Sequence, residues 1–454
     1  MSFNSTNSYQ QLNINFKSYF HWFVAIYIVF IPSTYLFSQP LPVNNTLYIS
    51  GKNLMTPCGD TIILHGVNNM NGWKAGENLL LQDFSEIKKT GSNCVRIVWQ
   101  ADPGFGTSVS DFDIVLQSCI ENGLIPIPEL HDATSTWSKL SSLVDWWTSS
   151  EVVTVLKKHE KYMILNIGNE VGDGDVTDDD YIKGYTNAIQ RIRAQGIICP
   201  LLIDAAGYGQ GFSYISNNAA SIINSDPLKN IMFSIHLYYE EYSKQDRDAL
   251  VSAGLQDLIA KEIPFIVGEF SGGTLASPQP NQPIDLYKTI IPICQTNHVG
   301  YIAWEWHPGN NYNDIDITLM DMTSDGKYIN LKTGWAKDIM VNDQNSIKNT
   351  TKTPDYIINK GICSPNSIEN KSAVTDNNLF PNPAINFINF YDANISGIIC
   401  IDLINSSGIK IKNLYTGGYN HENLTFDLAN LTAGLYFLKI NQNSAYKIMT
   451  FLLY

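Results

Sequence analysis

The chain holds 454 residues, 44 % of them hydrophobic, which excludes global disorder and leaves room for one large domain plus a smaller one. A formal charge of −14 and a pI near 4.9 exclude the basic face that a phosphate backbone requires, so no nucleic acid is expected as a partner. The same acidity suits neutral glycans better than anionic ones.

At the start, Lys17 precedes an apolar run from Tyr19 to Phe37, and no acid occurs between Met1 and Phe37. This predicts a signal peptide over residues 1–38, cut near Ser38. A membrane anchor competes, since about 20 apolar residues span a bilayer. His21 and Pro32 inside the run, and Ser38-Gln39-Pro40 after it, weigh against that. Seven cysteines are scattered at 58, 94, 119, 199, 294, 363 and 400 without any Cys-x-x-Cys, so zinc-knuckle and redox-motif spacings are absent. An odd count leaves at least one thiol free. Cys94 and Cys119 read as core, and no pairing follows from spacing.

Residues 41–340 alternate short apolar runs with helix-length amphipathic stretches. The runs are Ile62–Val67, Cys94–Trp99, Ile125–Leu130, Met163–Ile167, Leu201–Asp204, Met232–His236, Phe265–Gly268 and Tyr301–Trp304. Near-continuous apolar strands separated by helices indicate parallel strands buried on both faces. Eight of them in one domain predict an α/β architecture, a (β/α)₈ TIM barrel. A doubly wound sheet fits the alternation too, but the Gly-rich phosphate turn that usually opens one is missing.

Residues 341–376 lose the rhythm, gain Asn, Ser, Thr and Lys, and read as a linker. Residues 377–454 switch to a two-residue period, with turns at Ser406-Ser407-Gly408 and Gly417-Gly418, and predict a small all-β sandwich. It contains no ionisable cluster.

Polar residues follow directly on several apolar runs, where a barrel collects its chemistry. The fourth run leads into Asn169-Glu170 and the seventh into Glu269. Glycoside cleavage needs one carboxyl to protonate the leaving oxygen and another to attack the sugar carbon, and two glutamates at strand mouths can face each other. Each alone is equally well a helix-capping or solvated acid; the two together point to a site. Arg96, inside an apolar strand, must find a carboxylate, and beside Glu269 it would hold the nucleophile ionised. His131, His236 and Tyr238 close the third and sixth strands with hydrogen-bonding side chains, and Trp304 offers a flat face to a pyranose. A structural histidine or barrel filler is the plainer reading of each singly. No acid stands at a ligand spacing from the histidines, so neither a metal nor another cofactor is expected. The acidic stretch Asp173–Asp180 misses the calcium-loop spacing and reads as a solvated loop capping a helix that begins near Tyr181.

Arg96, His131, Asn169-Glu170, His236-x-Tyr238, Glu269 and Trp304, in that order between Leu64 and Trp306, resemble glycoside hydrolase family 5. The resemblance implies a retaining enzyme with Glu170 as acid/base and Glu269 as nucleophile. Asn169 would touch the sugar 2-hydroxyl, Arg96 and Tyr238 the nucleophile, His131 and His236 the pocket, and Trp304 the −1 sugar. Glu129–Thr134, Asp204–Gln210 and Asp226–His236 are similar to the bacterial endo-β-1,4-mannanase branch (subfamily 8). Val171 and Glu305-Trp306-His307 depart from that branch's pattern near the sugar subsites. Leu379–Pro383 and Leu431–Lys439 resemble the sorting domain of type IX secretion, which implies that machinery as a partner and a secreted or cell-surface destination.

The expectation is a monomeric endo-acting hydrolase of β-1,4-mannosidic bonds in a neutral β-linked polysaccharide, with Glu170 above and Glu269 below the usual carboxyl range. An endo-β-1,4-glucanase on the same site, and an inactive glycan-binding surface protein, are the alternatives.

Overall fold

The computed structural model describes residues 46–73, 78–273, 284–308, 319–363, 379–392, 395–405, 409–442 and 445–454. The leader expected over 1–38 lies outside them. A short antiparallel sheet comes first: β1 (Tyr48–Ser50), β2 (Asn53–Met55) and β3 (Thr61–Ile62). Eight parallel strands then form one sheet: β4 (His65–Asn69), β5 (Cys94–Trp99), β6 (Ile125–Leu130), β7 (Leu165–Asn166), β8 (Leu201–Asp204), β9 (Ile231–Leu237), β10 (Phe265–Phe270) and β11 (Gly300–Ala303). Their order is β6-β5-β4-β11-β10-β9-β8-β7. The remaining seam is crossed by Ile164 N–H to Pro126 O (3.2 Å) and Asn169 N–H to Leu130 O (2.9 Å). The sheet closes into the expected barrel.

Every residue of these strands is buried, because barrel filling covers one face and helices cover the other. The first run divides: Ile62 joins β3, and the barrel strand starts at His65. The helices are α1 (Leu81–Lys88), α2 (Val109–Glu121), α3 (Leu140–Trp147), α4 (Ser150–His159), α5 (Asp178–Ala194), α6 (Phe212–Ser225), α7 (Lys244–Ala260) and α8 (Tyr287–Asn297). α2 shows why they pack: Phe112, Val115, Leu116 and Cys119 recur at helical spacing and are all buried. α5 begins three residues earlier than the sequence suggested. Thr177 caps it by accepting from Asp180 N–H (3.1 Å), and Asp178, Asp179 and Asp180 occupy the first turn, where the helix dipole favours acids.

Residues 341–363, read as the first part of a linker, fold onto the barrel instead. Ile347, Tyr356 and Ile357 are buried among barrel side chains. Lys88 Nζ donates to Thr353 Oγ1 (2.9 Å), Asn93 Nδ2 donates to Lys352 O (3.0 Å), and Cys58 forms a disulfide with Cys363. The polar composition hid three apolar residues spaced to reach the barrel. The other five cysteines are free.

The C-terminal region is antiparallel throughout its ladders. β12 (Leu379–Phe380), β13 (Phe387–Phe390) and β16 (Leu424–Asp427) make one sheet; β15 (Lys410–Asn420), β14 (Ser396–Asn405), β17 (Gly434–Gln442) and β18 (Ala445–Leu453) make the other. Ile388, Phe390 and Phe426 share a core with Ile399, Ile401, Leu403, Leu438, Ile440 and Phe451, as a two-sheet sandwich requires. Among the described residues, no helix is long and apolar enough to cross a membrane.

Candidate active site

Side chains on a strand alternate, so one interior-facing file carries every second residue. Four such files change character midway. Cys94 is followed by Arg96, Ile127 by Glu129, Leu202 by Asp204, and Met232 by Ser234 and His236. The polar members are all buried. A buried charge must be paired, and the pairing radiates from Arg96.

Arg96 Nη1 donates to Glu269 Oε1 at 2.7 Å and to Asn68 Oδ1 at 3.1 Å. Its Nη2 donates to Asn169 Oδ1 (2.8 Å) and Asp204 Oδ2 (3.1 Å), and its Nε to Asn166 Oδ1 (2.8 Å). Glu129 Oε1 lies 3.7 Å from Nη1. One guanidinium therefore ties β5 to five other strands, β4, β6, β7, β8 and β10, and holds three carboxylates at once. Asp204 also accepts from the backbone N–H of Glu170 (3.1 Å) and from Asn166 Nδ2 (3.0 Å), fixing the chain where Glu170 takes a left-handed φ of 46°. Such strain in a non-glycine residue gathers at functional sites.

Glu269 reaches the same space through a bulge in β10, where the register against β9 shifts between Val267 and Glu269. Gly268 permits it, because a Cβ there would sit 2.0 Å from Ser234 Oγ. Glu269 Oε2 accepts from the Tyr238 hydroxyl at 2.8 Å. Glu170 Oε1 lies 2.7 Å from His236 Nδ1, and His236 Nε2 lies 3.5 Å from Asp204 Oδ2. One donor atom each from Glu170, His236 and Glu269 fall within 4.8 Å of one another. A metal could bridge that spacing, which the separation of these residues along the chain concealed. Both Glu269 oxygens already accept, from Arg96 and from Tyr238, and Glu170 Oε1 is engaged by His236 Nδ1.

His131 and Asn169 form the neighbouring pair. Asn169 Nδ2 donates to Thr134 Oγ1 (2.9 Å) and to His131 Nε2 (3.2 Å), so His131 Nδ1 donates to Glu129 Oε1 (2.8 Å). Trp304 stacks on His131 with centroids 5.8 Å apart and 26° between planes. The eight residues singled out in the sequence thus share one cleft wall or the layer just beneath it. The cleft measures about 550 Å³, and its lining includes Glu170, Glu269, Trp73, Trp304, Tyr208 and Gln210.

Charge explains the protonation pattern. Burial, then the charges of Glu269 and Asp204, pushes the Glu170 carboxyl well above its ordinary value. Burial also pushes Glu269 up, to about 7, against the opposing pull of Arg96, His131 and Tyr238. The expectation that Glu269 would fall below the usual range is therefore corrected: Arg96 divides one positive charge among several acids and cannot offset burial. The order survives, with Glu170 above Glu269. Burial, reinforced by Arg96 and His131, lowers His236 far enough to keep it neutral. Neutral His236 beside a protonated Glu170 makes Nδ1 the acceptor of the carboxyl proton.

Sequence reasoning passed over Asp204, Asn68, Asn166 and Glu129 as members of the site. The signal was present, since each is a polar residue inside or closing an apolar strand. Among the departures from the mannanase pattern, Val171 and Trp306 are fully buried, and neither they nor His307 line the cleft.

Residues 57–310 match the family model described as cellulase (glycosyl hydrolase family 5), and residues 378–453 match a secretion system C-terminal sorting domain. A mannan endo-1,4-beta-mannosidase of Cellvibrio japonicus is 31 % identical over 316 residues, covering 67 % of this chain and 68 % of that protein. Another, from Salipaludibacillus agaradhaerens, is 28 % identical over 315 residues, covering 67 % and 94 %. The mannohexaose complex of Thermomonospora fusca β-mannanase superposes with a TM-score of 0.59 at 30 % identity, covering 69 % of this chain and 99 % of that one.

Proposed function

The chain belongs to glycosyl hydrolase family 5, and from that premise we propose that it is a secreted, monomeric, retaining endo-β-1,4-mannanase with Glu269 as nucleophile and Glu170 as acid/base. Glu269 attacks the anomeric carbon while Glu170 gives its proton to the departing oxygen. The glycosyl-enzyme is then hydrolysed by a water that Glu170, now a carboxylate, deprotonates, and Glu269 leaves. Retaining pairs stand about 5–5.5 Å apart and inverting pairs roughly 6.5–9.5 Å. The single observation that carries the reading is two carboxyls with oxygens within 4.8 Å across an open cleft, in unequal surroundings.

That inequality supports the division of roles. Glu269 accepts from a guanidinium and a phenol, both of which favour the carboxylate, and burial keeps the Tyr238 phenol protonated as a donor. Glu170 has a neutral imidazole and three nearby acids, which favour the acid. Asn169, held by Arg96, His131 and Thr134, is oriented for the sugar 2-hydroxyl, and Trp304 for the −1 ring. Activity is lost as pH falls and Glu269 gains a proton, and as pH rises and Glu170 loses one, so kcat/KM traces a bell.

The C-terminal sorting domain indicates type IX secretion to the cell surface or the extracellular space. The leader over 1–38 would start that route. The test of substrate and stereochemistry is a panel of mannan, glucomannan and carboxymethylcellulose, with the first-formed anomer followed by NMR. We expect mannan and glucomannan to be cut, carboxymethylcellulose spared, and the β-anomer to appear first. Faster cellulose cleavage would replace the substrate; a first-formed α-anomer would overturn retention.

A further inference from the structure

We propose that Asp83 and His307 are positioning residues for Trp304: their hydrogen bond locks the start of α1 against the segment after β11, and the locked helix sets Leu80 as a backstop for the indole. The proposal rests on the hydrolase reading above and adds to it a pair of residues outside the cleft.

Topology brings the parts together. β4 pairs with β11, α1 follows β4, and the segment Trp304–His307 follows β11. The backbone of that segment is well held. Trp304 N–H donates to Phe270 O (2.8 Å), Trp306 N–H to Asn68 O (2.9 Å) and Glu305 N–H to Met320 O (3.1 Å). None of these bonds fixes the indole ring, which packs with Met70, Leu80, Val98 and Met320 and stacks on His131.

Leu80 is the member of that cluster with an unusual backbone. It is 3 % exposed and forms the N-cap of α1 with a left-handed φ of 54°. A leucine holds that conformation only where its surroundings impose it. Two sets of polar anchors do so. Before it, Asn69 Nδ2 donates to Asn71 Oδ1 (3.1 Å), Asn71 Nδ2 to Leu79 O (2.8 Å), and Leu80 N–H to Asn78 Oδ1 (3.1 Å). After it, Asp83 N–H donates to Leu80 O (3.1 Å), and the Asp83 carboxylate accepts from His307 Nδ1 at 2.8 Å.

The second anchor is the costly one. Asp83 is fully buried, and among the described residues no lysine or arginine forms an ion pair with it. Burial pushes its carboxyl up, and His307, then Asn69, pull it back. Gly326 closes over the pair. A Cβ there would lie 2.6 Å from Asp83 Oδ1 and 2.7 Å from His307 Nδ1, and its carbonyl accepts from Trp306 Nε1 at 2.8 Å. A buried acid that loses its donor costs more than the bond itself, so helix and segment hold each other in register. Leu80, Asp83 and His307 do not line the cleft, whereas Trp304 does. Any effect of these three on a sugar passes through a side chain that reaches it.

The test reads KM against kcat with 4-nitrophenyl β-mannobioside, well below the thermal transition of each variant. His307→Leu keeps the bulk and removes the donor. Its KM should rise about fivefold while kcat stays within about twofold of wild type, as expected when a contact made equally in ground and transition states is loosened. His307→Asn places an amide N–H where Nδ1 stood and should bring KM back to within about twofold of wild type. Leu80→Ala leaves both anchors intact and should reproduce the rise in KM, which keeps the proposal exposed if His307→Leu does not fold. In a Trp304→Ala background, His307→Leu should raise KM no further. An unchanged KM in His307→Leu or Leu80→Ala, no rescue by asparagine, or an equal rise in both backgrounds overturns the device. Nitrophenolate release by the wild type leaves the hydrolase reading standing in each of those cases, and no release defeats both.

Discussion

The barrel interior has two layers built on the same strands and opposite in chemistry. Near the strand N-termini, Ile125, Ile127, Ile164, Leu202, Met232, Ile266 and Ile302 pack against Leu47, Leu54, Tyr356 and Ile357 in a cluster without charge. Two residues further along four of the files stand Arg96, Glu129, Asp204 and Ser234, equally buried, and Arg96 binds both Glu129 and Asp204. Ile127 and Glu129 share a strand and a face, and the step between them changes what burial does. Below, burial is favourable by itself and any void costs free energy. Above, burial is unfavourable for each group alone and is offset only by the network around Arg96. Burial there raises the proton affinity of Asp204, as it does for Glu170 and Glu269.

Substitutions in the two layers should separate activity from stability. Glu269→Ala is expected to lower kcat on mannan by at least about 10⁴-fold with the thermal transition preserved, as measured by reducing-sugar release and calorimetry. Wild-type turnover in that variant would remove Glu269 from the mechanism. Arg96→Met should destabilise by about 3–5 kcal/mol near neutral pH, since it strands several carboxylates together. Urea titrations at falling pH should show that loss shrinking as the acids take up protons. A pH-independent loss would mean that the packing of the arginine stem, rather than its charge, matters there. Ile127→Ala should cost about 2–4 kcal/mol by the same titrations while kcat stays within about twofold of wild type. A large fall in kcat with Ile127→Ala would show that the layers are mechanically joined.

The apolar layer and the helices over it were legible from the chain, because one strong periodicity repeats eight times and each repeat has its own helix. β5, β6 and β8 match their runs residue for residue. Arg96, Glu170 and Glu269 were legible for the opposite reason: each violates its local pattern. What the chain concealed depends on closure. Asn68, Asn166 and Asp204 become one network only when β4, β7 and β8 surround β5's arginine, and no spacing along the sequence encodes that. The fold of residues 341–363 was hidden for a related reason. Its buried residues are few and irregularly spaced, and the segment's partners lie far off in sequence: Lys161 is 195 residues from Tyr356, Asn93 is 259 from Lys352, and Cys58 is 305 from Cys363.

The smallest effect is the most specific to the upper layer. Glu170 has a folded-state proton affinity raised above its ordinary value, chiefly by burial and then by Glu269 and Asp204. The folded protein therefore prefers the protonated acid, whereas the unfolded chain ionises at the ordinary glutamate value near ~4.3. The contribution of this group to stability is fully present below that value. It declines as pH rises toward the folded-state value and is gone above it. Glu170→Gln is neutral at every pH and escapes the decline. We expect it to match wild-type stability near pH 4 and to exceed it by about 1 kcal/mol near pH 8, with the gap opening between, while polysaccharide hydrolysis is lost. Paired urea titrations across that range read the gap directly. A constant gap would place the effect in packing, and a gap that narrows as pH rises would mean that Glu170 is held as a carboxylate in the folded state and cannot be the resting proton donor.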